Sequence, residues 1–454
     1  MRTLLFDTAL LPDGWAAGVA VTVDATGDIV SVDRDPSGHA GERIGGIVLP
    51  GVPNLHSHAH QRAMAGLAER AGAGEDSFWT WRELMYGTLD RLQPDQLEAI
   101  AAQLYVEMLK AGYTSVAEFQ YVHHDRNGRP YQDPAEMSLR TLAAAREAGI
   151  GITSLPVLYH DGGFGGQPAD PAQRRFLNDA DGFMAIVGRL RTASAGDSNA
   201  AVGVAPHSLR AVNGSLLDEV LRGPGSDGPI HIHIAEQVRE VEDCVAWSGQ
   251  RPVEWLYARQ PVDSRWCLVH ATHMSRAEAA SVAASGAVVG LCPTTEANLG
   301  DGLFDAPGFL ARGGRFGIGS DSNVSVSPVE ELRWLEYGQR LANRARNMLS
   351  GGPSRSTGRT LLEQILAGGA QASGRRTGRI EAGSRADFIV LDVDRPGFHG
   401  RTGDAVLDTW IFAGNENRVR DVFVGGQAVI RDWAHPRERD IEARFRQALD
   451  QLAE

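Results

Sequence analysis

The sequence is poor in lysine, in cysteine and in long apolar runs. Of the 44 lysines and arginines among 454 residues, only Lys110 is a lysine. Cys244, Cys267 and Cys292 are the only cysteines, an odd and widely spaced set. That argues against a disulfide framework or a zinc knuckle and fits the reduced core thiols of a cytoplasmic protein. No stretch of about eighteen apolar residues occurs, which excludes a transmembrane helix. Residues 1–7 lack the apolar core of a signal peptide, because Asp7 interrupts it too early. No Gly-x-Gly-x-x-Gly follows the first strand-like run, so a nucleotide-binding fold is disfavoured. The net charge of −13 argues against a nucleic-acid or anionic-membrane surface. An anionic substrate then has to be drawn in by a local group of arginines.

What is present reads as an α/β chain. Residues 18–23 and 29–32 have hairpin grammar, and the same grammar returns at 383–392 and 419–427. The simplest architecture pairs the two ends into one small β-sandwich domain. Between them, strand-like runs alternate with helical stretches such as 94–111, 133–148 and 275–285. After an opening strand at 49–58, further strands are expected at 114–121, 149–159, 200–205, 229–235, 267–270, 287–291 and 315–319. Eight strands over roughly 330 residues favour a (β/α)₈ TIM-like barrel with insertions. The expected division is residues 1–48 as the first part of the β-domain and 49–378 as a metal-dependent barrel. Residues 379–454 then supply the second part of the β-domain and a C-terminal helix.

In such a barrel the chemistry belongs at the C-terminal strand ends. The first strand ends in His56-Ser57-His58, and on an extended chain residues i and i+2 share a face. The fifth carries His233 and then Glu236, the sixth ends in His270, and the eighth in Ser320-Asp321. A divalent ion held by His56, His58, His233 and Asp321 has ligands suited to zinc or iron(II). Its open position would hold a water whose pKa the ion lowers to about 7. Glu236 is placed to shuttle a proton to a leaving group, and His270 to polarise the reacting group. Asp321 can also orient or deprotonate the water. Which of Asp321, His270 and Glu236 takes the first proton is left open.

Other histidines read as structural. His231 alternates with His233 and should face the other side of its strand. His273 falls beyond a strand end, His123 and His124 fall in a loop, and the chain has turned by His60. Binuclear hydrolases on this kind of barrel use a carbamylated lysine from the fourth strand. Lys110 sits in a helical stretch before the second strand, so a single ion is expected.

These residues resemble the amidohydrolase superfamily over almost the whole chain, in particular its mononuclear aminohydrolase branch. Several local stretches are closer still to its N-formimidoyl-L-glutamate deiminase family: residues 56–66, 78–85, 117–124, 207–210 and 292–302. That resemblance implies one Zn²⁺ per subunit on His56, His58, His233 and Asp321, with Glu236 and His270 in catalysis. It also implies substrate contacts from Gln61, Arg82, Tyr121, His207 and Arg210. The sequence departs from the family's pattern at His60, Gln120 and Asn323, which bears on pocket polarity and not on the metal ligands.

The residues themselves point the same way, since Arg82 and Arg210 suit bidentate binding of a dicarboxylate that bears an amidine. As ordinary loop charges they would instead pair with neighbours such as Asp76 or Glu83. The expected reaction is hydrolysis of N-formimidoyl-L-glutamate to N-formyl-L-glutamate and ammonia, as in histidine degradation. Trp79, Trp81 and Tyr121 keep open an alternative, an aminohydrolase of a nucleobase or other heterocycle. A non-enzymatic barrel scaffold is the reading from a different class. The expected partners are a small molecule and a second copy of the chain, a homodimer being the commonest assembly.

Overall fold

The computed structural model describes residues 1–70, 78–223, 227–352 and 355–453. Among the described residues, nine parallel strand segments form two sheets. The first sheet holds Val52–Ser57, Tyr113–Gln120, Gly151–Leu158 and the paired segments Ala200–Val202 and Ala205–Pro206. The second holds Ile230–Ile234, Trp266–His270, Val288–Leu291 and Arg315–Ile318. Parallel bridges join the two sheets at both edges: Val204 to Ile230 and Ser208 to His233 on one side, Ser57 to Asp321 on the other. Every residue of Tyr113–Gln120 and Gly151–Leu158 is buried, as expected of parallel strands covered on both faces.

Helix Pro94–Ala111 illustrates how the connecting elements form. Proline occupies its first turn, a capping box joins Gln93 and Gln96, and Gly112 ends it in the left-handed conformation. Leu97, Ile100, Ala101, Leu104, Tyr105 and Met108 make its buried face. The C-terminal helix Glu438–Ala453 docks on this helix, through Gln96 to Gln451 and Lys110 to Glu438.

The two chain ends meet in a seven-stranded sheet. Its order is Gln427–Ile430, Val419–Val424, Phe388–Leu391, Glu42–Pro50, Arg2–Leu11, Gly14–Val23 and Ile29–Asp33. The join is the antiparallel pair Phe388–Leu391 with Glu42–Pro50, in the register Phe388 to Pro50 and Ile389 to Leu49. This sheet has its own core, which includes Leu4, Phe6, Val21, Val48, Phe388 and Phe423.

Two strands differ from the sequence expectation. The opening strand is two strands: Leu49 and Pro50 belong to the seven-stranded sheet, and Val52 begins the parallel one. Gly51 between them has no room for a side chain, since a Cβ there would lie 2.3 Å from the Thr114 side chain. The fourth strand is interrupted at Gly203-Val204, where the backbone changes partners. Gly203 N–H bonds Ser154 on one neighbour, and Val204 N–H bonds Pro229 beside the other. Among the described residues no helix is long and apolar enough to cross a membrane, and the three cysteines are buried and unpaired.

Candidate active site

The exits of the parallel strands converge on one cluster. His56 Nε2 lies 3.2 Å from His58 Nε2 and 3.0 Å from His233 Nε2. Asp321 Oδ1 lies 3.3 Å from His58 Nε2 and 3.6 Å from His56 Nε2. The eighth strand reaches the first because residue 319 is glycine. A Cβ there would stand 2.7 Å from the His56 carbonyl oxygen. Past that approach, His58 N–H donates to Asp321 O and Asp321 N–H to His56 O, both at 3.0 Å. Asn323 completes the seam by donating to the carbonyls of His58 and Asp321 at 3.0 and 2.9 Å. Ala235, His270 and Asp321 hold positive φ of 51°, 64° and 49°, conformations that cost about 1–3 kcal/mol each and gather at functional sites.

The protonation pattern of the cluster follows from its partners. His58 Nδ1 lies 2.9 Å from Phe119 O, and His233 Nδ1 lies 3.1 Å from His207 O. A carbonyl oxygen only accepts, so each Nδ1 carries the hydrogen and each Nε2 presents a lone pair to the cluster. Burial pushes His58 down to about 4. Burial and the neighbouring imidazoles hold His56 and His233 well below the usual histidine range. Neutral lone pairs this close repel one another unless a cation lies between them. The donor set suits one: these three histidines can hold a metal ion together. Their spacing is close to the edge, about 3.3 Å, of a tetrahedron built on bonds of ~2.0–2.1 Å.

Beside the cluster stand His270 and Glu236. His270 Nε2 is 3.7 Å from both Glu236 Oε1 and Asp321 Oδ2, and Glu240 fixes the turn by accepting the N–H groups of Ala235 and Glu236. Burial opposes a charge on His270, yet Glu236, Glu296 and Asp321 together lift it well above the usual range. Burial lifts Asp321 to about 7; His270 works against that, and Glu236 and Glu296 add to it.

One cavity opens above these groups, lined by His58, His233, Glu236, His270 and Asp321 together with Gln61, Arg82, Tyr121, His207 and Arg210. His56 forms the floor and is fully buried. Gln61 donates to the Tyr121 hydroxyl at 3.0 Å. Arg82, on helix Phe78–Arg91, donates through Nε to Tyr86 Oη at 2.5 Å. Arg210 stays charged although buried, favoured by Glu240 and Glu236. Trp81 lines the cavity; Asp76 and the side chain of Trp79 lie outside the described residues.

The histidines read as structural have other partners. His231 Nε2 donates to Ala372 O, His123 to Val157 O, His124 to Leu177 O and His273 to Asp301 O. His60 pairs with the Tyr121 hydroxyl at 2.8 Å, and Gln120 donates to Val122 O. Lys110 faces Glu438, away from the cluster. Residues the sequence did not single out include Glu118, which accepts Ala59 N–H and the Tyr105 hydroxyl, and Tyr86 and Tyr159 in the cavity wall. The one carboxylate inside strand Tyr113–Gln120 was the available signal for Glu118.

Residues 47–429 match the Amidohydrolase family. The chain is 56% identical over 454 residues to a formimidoylglutamate deiminase of Pseudomonas aeruginosa, covering 100% of both. It superposes on an amidohydrolase from Brucella melitensis with a TM-score of 0.94 and 49% identity, covering 100% of each chain. An adenosine deaminase from Xanthomonas campestris, solved with bound zinc, shares the fold. Its TM-score is 0.82 at 22% identity, covering 100% of this chain and 98% of that one. With a match over most of its length and a strand-end cluster of this composition, the chain belongs to the amidohydrolase family.

Proposed function

We propose that the protein hydrolyses N-formimidoyl-L-glutamate to N-formyl-L-glutamate and ammonia, with one zinc ion per subunit. The observation that carries this reading is the pairing, in one cavity, of a His–His–His–Asp floor with two arginines, Arg82 and Arg210. The full-length likeness to a formimidoylglutamate deiminase supports it. The two guanidiniums suit the two carboxylates of the substrate, and Gln61, Tyr121 and His207 offer polar contacts between them and the floor.

His56, His58, His233 and Asp321 would hold the ion, with zinc favoured over iron(II). When bound, it supplies a Lewis acid that makes water a nucleophile near neutral pH. The chain's own residues manage the protons. Water must lose both its protons as its oxygen becomes the formyl oxygen, and the departing nitrogen must gain protons to leave as ammonia. Asp321 takes protons from the water, and His270 beside it assists by stabilising the charge that develops. Glu236, 3.7 Å from the same His270 nitrogen, delivers them to the leaving nitrogen.

The architecture of this reading is a (β/α)₈ barrel over residues 49–378 and a small β-sandwich from 1–48 and 379–454. The bridges at both sheet edges support the barrel, and the separate core of the seven-stranded sheet supports the sandwich. Strand Glu42–Pro50 crosses the first boundary by two residues, and the C-terminal helix leans on the central unit. Unpaired cysteines fit action in the cytoplasm.

The test is ammonia release by metal-analysed protein from formimidoylglutamate, formimidoylaspartate, guanine and cytosine. Turnover of formimidoylglutamate with little on the bases is expected. Ammonia from a base alone would replace this reading with a heterocycle aminohydrolase.

A further inference from the structure

The segment Cys292 to Gly302 serves the site through a residue that does not line the cavity. Helix Pro293–Leu299 begins directly after strand Val288–Leu291 and ends at Gly300 in the left-handed conformation. Glu296, in its first turn, is 5% exposed. Its Oε1 accepts the Cys292 backbone N–H at 2.9 Å and lies 3.3 Å from His270 Nδ1. The opposite edge of the His270 ring faces the chemistry, with Nε2 3.7 Å from Glu236 Oε1 and from Asp321 Oδ2. His270 borders the substrate cavity and Glu296 does not.

We infer that Glu296 is a positioning residue for the deimination: it accepts the Nδ1–H of His270 and fixes the ring with Nε2 turned to the edge shared by Glu236 and Asp321. The inference rests on the deiminase reading above. Oε1 already accepts a backbone N–H, so it acts toward His270 as an acceptor too, and the ring nitrogen beside it carries the hydrogen. Without that acceptor the imidazole can turn over or change tautomer, and its working edge no longer faces the two acids. A carboxylate behind a histidine serves the same purpose wherever a ring must present one defined nitrogen.

The test combines nitrogen spectra with kinetics on zinc-loaded protein. In ¹⁵N-histidine-labelled wild type, the His270 signals, identified by their loss in His270→Asn, should show Nδ1 protonated. Glu296→Ala should lose that signature, keep its zinc, and lower kcat about 10- to 100-fold at unchanged KM. Glu296→Gln, whose amide oxygen can still accept the Nδ1–H, should recover the signature and part of kcat. A bare Nδ1 in the wild type overturns the inference, as does a Glu296→Ala protein with unaltered His270 signals. If Glu296→Ala does not fold, the wild-type and Gln spectra decide. Wild type that releases no ammonia from formimidoylglutamate would end the deiminase reading, while the spectra would still judge the contact.

Discussion

The backbone carbonyl of Phe119 takes the Nδ1–H of His58 at 2.9 Å and thereby turns the other ring nitrogen, as a lone pair, toward His56 and Asp321. His207 does the same for His233 through its own carbonyl. Two histidines of the cluster, His58 and His233, are thus oriented by backbone carbonyls, one on strand Tyr113–Gln120 and one just past Ala205–Pro206.

Removing one of the proposed ligands should remove the metal. His58→Ala and His233→Ala proteins should contain far less zinc than wild type by elemental analysis, and their ammonia release should fall to background. Chelator-treated wild type should regain activity with added zinc, and the variants should not. Wild-type zinc affinity in His58→Ala would take that residue out of the site.

Arg210→Met and Arg82→Met should each raise KM for formimidoylglutamate about 10- to 100-fold, the loss of a charge-assisted contact of roughly 1.5–3 kcal/mol. The effect on kcat should be smaller. A substrate diester, lacking both charges, should not distinguish Arg210→Met from wild type in steady-state kinetics. An Arg210→Met variant with unchanged KM would show that the carboxylates bind elsewhere.

Acid should destabilise the fold through histidines outside the floor. Burial pushes His123 and His231 down to about 4, against 6.5 in an unfolded chain. As pH falls below about 6.5 the unfolded chain takes up the proton first, so stability present at neutral pH is lost between roughly 6.5 and 4. Each histidine accounts for up to about 3 kcal/mol of that loss. Urea midpoints at pH 7.5 and 5 should therefore separate. His123→Gln, whose amide can still donate to the Val157 carbonyl, should narrow the gap. A gap unchanged in His123→Gln would remove that residue from the titration.

Much of the site is legible in the sequence because its residues end strands. His56-x-His58, His233, His270 and Asp321 each close an apolar run, and the alternation of strands and helices brings those ends to one face. Arg82 and Arg210 are legible from their places, one in the connection after the first strand and one just past the fourth, and from the stretches that resemble the family. The supporting carboxylates are not. Glu240 and Glu296 stand in first turns of helices, where a solvated glutamate is common, and only packing reveals that they hold Glu236 and His270. Pro50-Gly51 marks a break locally, whereas the one at Gly203 is hidden, since it depends on neighbouring strands rather than on local propensity.

The seam between the first and eighth strands should be intolerant of a single methyl group. Gly319→Ala would drive a Cβ to 2.7 Å from the His56 backbone, and a backbone shift of that kind costs about 1–3 kcal/mol. Because Asp321 moves with the strand, zinc affinity should fall together with the melting temperature. A stable Gly319→Ala protein with wild-type zinc content would contradict the described approach of the two strands.

The proposed hydrolysis cleaves one of the two carbon–nitrogen bonds of the formimidoyl carbon. Turnover of N-formimidoyl-L-glutamate in ¹⁸O-water, followed by mass spectrometry, shows which bond breaks. One ¹⁸O in the formyl group of N-formyl-L-glutamate, with one ammonia released per turnover, is the predicted result. Labelled formamide with free L-glutamate, or no labelled product at all, would contradict it.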